Sequence, residues 1–86
     1  MREITIDERD YSSPQSFMAW IKDALDFPSY CGNSPAALYD CLGDICEATR
    51  ITVVRRDPTP DTWFDRMTLI IVRASMENEN ITVRVR

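Results

Sequence analysis

A chain of 86 residues with a formal net charge of −4 and a 44% apolar fraction predicts one domain over residues 1–86. A chain of that length buries roughly 60–65% of its unfolded surface around one core. With no histidine and three cysteines, none at zinc-site spacing, no metal, cofactor or Cys–His nucleophile is expected. No run reaches the roughly 18 apolar residues of a membrane span, and the chain opens Met1-Arg2-Glu3-Ile4-Thr5 without a signal core. The expectation is a cytoplasmic protein, with no membrane partner. The odd cysteine count reads as three reduced thiols, Cys41 in the core and Cys31 in a loop. Charge is uneven: residues 1–49 hold 9 Asp/Glu against 3 Lys/Arg, and residues 50–86 hold 5 against 7. An acidic first half disfavours direct nucleic-acid binding and suits a basic protein partner.

Glu3-Ile4-Thr5-Ile6-Asp7 alternates and is β-branched, which predicts a first strand. After a polar connection over Glu8–Ser12, Ser12 or Ser13 caps a helix with Pro14 in its first turn. Phe17, Trp20, Ile21, Ala24 and Leu25 then recur at helical spacing. A central segment follows, and Arg50–Arg55 reads as a second strand. Asp57-Pro58-Thr59-Pro60 breaks that strand and prepares a cap at Thr59. Trp63, Met67, Ile70 and Ala74, widened by Phe64 and Ile71, predict a helix to about Glu77. Asp61 and Asp65 fall near its start, where negative charge is favoured. The competing reading is a strand over Thr68–Val72, because Thr, Ile and Val favour β. Glu77–Asn80 is a turn, and Ile81–Val85 a last strand. The order β-α-α-β-α-β implies a small α/β layer fold with parallel strands.

The central segment, Phe27–Cys46, organises the rest. Pro28 cannot continue the preceding helix. Gly32 and Asn33 tolerate a positive φ, so a bend fits there. Ser34 caps a new helix, and Pro35 suits its first position. Leu38, Cys41, Leu42 and Ile45 form one apolar stripe, and the helix runs to near Glu47. The outer face then carries Ala36, Asp40 and Gly43, with Tyr39 and Asp44 at its edges.

Catalytic constellations are weak. Asp40 and Asp44 could share a proton, but no histidine, metal or pocket accompanies them. The two glycines make no phosphate loop. Trp63 and Phe64 sit at core spacing, and Arg50, Arg55 and Arg56 read as a solvated strand edge. What remains is recognition by an aromatic-bearing loop and an acidic helix face.

Pro28-Ser29-Tyr30-Cys31-Gly32-Asn33, followed by Ala37-Leu38-Tyr39-Asp40-Cys41-Leu42, resembles the central segment of the barstar family, intracellular inhibitors of the ribonuclease barnase. The resemblance implies a three-stranded parallel sheet covered by three or four helices. It also implies a loop and helix that plug a ribonuclease active site, acidic groups replacing substrate phosphates. Tyr30, Gly32 and Asp40 match family positions at the inhibitory surface, and Tyr39 stands where the family has tryptophan. Ala36 replaces a second inhibitory aspartate, Cys31 a second tyrosine, and Val72-Arg73-Ala74-Ser75 lacks the contacting glutamate. These departures argue against barnase itself as target and leave the surface to be aimed elsewhere. The expected partner-binding set is Tyr30, Cys31, Gly32, Asn33, Ala36, Tyr39, Asp40, Gly43 and Asp44. The expected function is occlusion of a basic ribonuclease or toxin by a chain that is monomeric when unbound. The alternative is a regulatory or scaffold module without inhibitory action, and a small enzyme is more distant.

Overall fold

The computed structural model describes every residue except Ser29, Tyr30, Asn33, Pro58 and Pro60. The elements run β1 (Arg2–Asp7), α1 (Pro14–Ala24), α2 (Pro35–Gly43), β2 (Thr49–Val54), α3 (Trp63–Glu77) and β3 (Ile81–Val85), with a 3-10 turn over Glu8–Asp10. The strands form one sheet in the order β1-β2-β3, with both pairings parallel. This is the α/β architecture expected from the sequence, each parallel step needing a crossover that a helix supplies. Among the described residues no helix lies between β2 and α3, so three α-helices cover the sheet.

The register explains which face is covered. Ile4, Ile51 and Val83 share a row, and Ile6, Val53 and Val85 the next but one. Ile6, Ile51 and Val53 are fully buried. The rows between them point the other way, and Glu3, Thr5, Arg50, Thr82 and Arg84 are exposed. Most parallel sheets are covered on both faces and read as continuous apolar runs. Here the alternation of β1 marks a sheet with one wet face. All three helices supply the core on the other: Phe17, Met18, Ile21 and Leu25 from α1, Leu38 and Leu42 from α2, and Phe64, Met67, Ile71 and Ala74 from α3.

The helix boundaries have local causes. Ser13 Oγ accepts from the Ser16 N–H at 3.2 Å, with Pro14 as first helical residue. The far end of α1 closes on Asp26, whose φ of 56° is left-handed. The Asp26 N–H donates to Asp23 O at 3.2 Å and the Phe27 N–H to Lys22 O at 2.9 Å, a Schellman motif. That reversal, followed by Pro28, turns the chain toward α2.

Three expectations are corrected. α3 is capped by Thr62, not Thr59: its Oγ1 accepts from the Asp65 N–H at 3.2 Å, and the left-handed Asp61, φ 60°, delays the helix to that point. The helical stripe of α3 is rotated: Phe64 and Ile71 are buried at its centre, while Ile70 is only half-buried. The arginines of residues 50–56 do not mark a sheet edge, because β2 is the central strand. Arg50 instead pairs with Glu3 at 2.9 Å. Residues 68–72 are helical as expected, with Thr68 Oγ1 returning its proton to Phe64 O at 2.9 Å.

Candidate functional site

α2 begins as its sequence dictates. Ser34 Oγ accepts from the Ala37 N–H at 3.1 Å, and Pro35 occupies the first turn. Leu38 and Leu42 are fully buried, so the opposite side faces out: Ala36, Asp40, Gly43 and Asp44 are exposed, and Tyr39 is half-buried. The helix stops at Gly43, short of the expected Glu47. Asn78, at the end of α3, donates its side-chain N–H groups to Leu42 O at 3.0 Å and Ile45 O at 3.0 Å. Asn80 adds a bond to Ile45 O at 3.2 Å. Carbonyls that would otherwise continue the helix are taken by this turn.

The loop before α2 is held in a way the cysteine count did not foretell. Cys31 and Cys41 are joined in a disulfide, with Cα atoms 6.6 Å apart, within the usual span for such a bond. The expected three free thiols are therefore corrected to one, Cys46, which is exposed. Cys31, although it precedes the helix in a loop, is buried. The loop lies back on the helix, bringing together two cysteines that α2 alone would keep apart. Gly32 permits this approach: a Cβ there would sit 3.2 Å from the Ala37 Cβ. Its φ is not positive, so close approach, and not the expected left-handed bend, is what glycine provides. Tyr30 and Asn33 lie outside the described residues.

Of the remaining site residues, four line two separate clefts and Gly43 lines neither. Ala36, Tyr39 and Asp40 line a groove of about 670 Å³ between α2 and α3, completed by Ile70, Arg73, Met76 and Glu77. Asp44 lines a separate cleft of about 440 Å³, with Arg2, Phe27 and Cys46 among its walls. The two acids whose spacing suggested a shared proton thus line different clefts. Tyr39 reaches across the groove and donates its hydroxyl proton to Glu77. Accepting that proton stabilises the neutral phenol, and with partial burial it raises the Tyr39 pKa above its ordinary 10.0. Asp40 and Arg73 make no ion pair among the described residues. On the α3 wall the resemblance marks only Val72–Ser75, as a contact position whose glutamate this chain lacks. A further signal is Met76, an apolar residue off the helical stripe and the most exposed of the large apolar side chains described.

No helix among the described residues is long and apolar enough to cross a membrane. Sheet and groove together define a small α/β protein with an open groove between two of its helices. The family model described as barstar (barnase inhibitor) matches residues 1–80, and the chain belongs to the barstar family. It is also similar to a Bacillus subtilis (strain 168) protein named "Putative ribonuclease inhibitor YrdF", with 48% identity over 42 residues. That match covers 49% of this chain and 46% of the relative, so the chain spans about half the length of the curated relative it matches.

Proposed function

We propose that this protein inhibits a ribonuclease, or a related toxin, by occluding its active site with the outer face of α2 and the loop before it. The observation that carries this reading is Asp40: an exposed carboxylate on a helix whose other side is fixed in the core, without an ion pair among the described residues. A ribonuclease must hold phosphates, and cationic side chains placed for phosphate will accept a carboxylate in the same position. Family membership and the name of the Bacillus relative support the same target class. Tyr30 supplies aromatic contact, while Gly32, Asn33, Ala36 and Gly43 let the partner approach closely. The inhibitor acts as a monomer, performs no chemistry and contacts no nucleic acid.

The test is titration of purified chain against purified barnase-type ribonucleases, read by RNA hydrolysis. Inhibition is expected, and Asp40→Ala should weaken binding by roughly 2–5 kcal/mol, because it strands cations in the partner. Its stability should move by no more than about 0.5 kcal/mol, as for a surface change. Tyr30→Ala should weaken binding in the same direction, mostly through faster dissociation. A stable complex without inhibition would favour a regulatory module instead, and wild-type affinity in both folded variants would remove α2 as the binding face.

A further inference from the structure

The groove beside Asp40 is not uniformly acidic. Arg73 projects from α3 into it, exposed and without an ion pair among the described residues. The same groove is lined by apolar groups, Pro35 and Ala36 from α2 and Ile70 and Met76 from α3, and by the hydrogen-bonded Tyr39 and Glu77. Met76 is 80% exposed, far more than a long apolar side chain with a purely structural role requires. Asp40 and Arg73 do not satisfy each other. A partner that covers the apolar strip must desolvate both charges and supply a counter-charge to each, since a buried unpaired charge is strongly unfavourable. A purely cationic active-site rim would serve Asp40 and repel Arg73.

We infer that Arg73 is a specificity-determining residue, and that the ribonuclease this protein inhibits carries a carboxylate on its active-site rim. That carboxylate would face Arg73, on the far side of an apolar side chain from the cations that receive Asp40. The inference rests on the reading of α2 as the inhibitory face. Where the family resemblance puts a glutamate on α3, Arg73 takes a role of opposite charge, which fixes the sign of the partner's charge there. Specificity follows, because Arg73 attracts the correct enzyme and penalises enzymes whose rim is basic throughout.

The experiment uses the intact protein and a panel of purified barnase-type ribonucleases. The best-inhibited enzyme is titrated with wild type, Arg73→Ala, Arg73→Glu, Asp40→Ala and Arg66→Glu. Arg66 is exposed on the same helix, outside the groove and without an ion pair among the described residues, and so reports on general charge alone. Thermal melts confirm that each variant is folded. Arg73→Ala should raise the inhibition constant about tenfold and Arg73→Glu more than about a hundredfold, with Arg66→Glu near wild type. Replacing the facing carboxylate of the ribonuclease with lysine should restore tight binding to Arg73→Glu and not to wild type. If Arg73→Glu binds as well as wild type or better while Asp40→Ala is impaired, the inference is wrong and the proposed function stands. If both bind as wild type, or no ribonuclease is inhibited, the inference falls with the functional reading beneath it.

Discussion

Two ends of the molecule hold their charges differently. Where β1 and β2 finish and α3 starts, four carboxylates are engaged, those of Asp7, Glu8, Asp57 and Asp65. Asp7 accepts from Arg56 Nε at 3.1 Å and Nη2 at 2.8 Å, and pairs with Arg9 at 3.2 Å. Glu8 accepts the backbone N–H groups of Arg56 at 2.7 Å and Asp57 at 3.1 Å. Asp65 pairs with Arg55. At the groove between α2 and α3, Asp40 and Arg73 stand without ion pairs among the described residues, and the wall is held by other means: the Cys31–Cys41 disulfide, the Asn78 amide on the end of α2 and the Tyr39 hydroxyl on Glu77. A surface that must meet another protein's charges gains from being assembled by a covalent bond and neutral donors. An incoming arginine or lysine would compete directly with an internal ion pair, and far less with an amide or a disulfide. One end uses charge to build the fold, and the other leaves charge available.

The largest test of that contrast is chemical reduction. Closing a loop of about ten residues should stabilise the fold by about 2–3 kcal/mol through the unfolded chain's entropy. Urea melts before and after reduction should differ by that amount, and alkylation should count one reactive thiol before and three after. Three free thiols in the untreated native protein would sink the covalent half of the contrast. Next in size is Asn78→Ala, which removes two side-chain hydrogen bonds from the carbonyls of Leu42 and Ile45 and should cost about 1–3 kcal/mol. Asn78→Asp keeps the size, loses the donor and sets a negative charge at a helix C-terminus, so it should cost at least as much. An Asn78→Asp protein as stable as wild type would mean that α2 ends there for some other reason.

What the sequence made legible was local. Alternation in β1, helical spacing in α1, and the Ser13-Pro14 and Ser34-Pro35 starts depend only on neighbours along the chain. They sufficed for the element order, the parallel sheet and the buried side of α2. What stayed hidden depends on how elements meet. The end of α2 is set by Asn78, more than thirty residues later in the chain, and periodicity within α2 contains no trace of it. The pairing of Cys31 with Cys41 needs the loop to lie back on the helix, which no spacing rule describes. The resemblance marked the stretch around Arg73, but that Arg73 and Met76 share a groove with Asp40 follows only from the packing of α3 against α2. The rotated stripe of α3 has the same origin: Ile70 fits a helical period, but the neighbouring helix decides which apolar residues lie deepest.

The smallest expected effect belongs to the charged end and turns on pH. Bidentate hydrogen bonding from Arg56, helped by the Arg9 backbone N–H and by both guanidinium charges, lowers the Asp7 pKa from its ordinary 3.8 to about 2. Because the folded state holds the ionised form more tightly than the unfolded chain does, the unfolded chain binds protons first as acid is added. The Asp7 contribution is therefore complete above the unfolded value of 3.8 and disappears as pH falls through about 2. Asp7→Asn should remove that step, so that the variant's stability varies less with pH across this window than the wild type's. It should leave Asp40-dependent binding at neutral pH unchanged, because the two charges serve opposite ends of the molecule. Carboxyl chemical shifts followed by NMR give the Asp7 titration directly, and urea melts at stepped pH give its consequence. An Asp7 that titrates near its ordinary value would mean that Arg56 does not hold it in solution. The charged end would then resemble the groove, with its carboxylates exposed and free, and the contrast between the two ends would be lost.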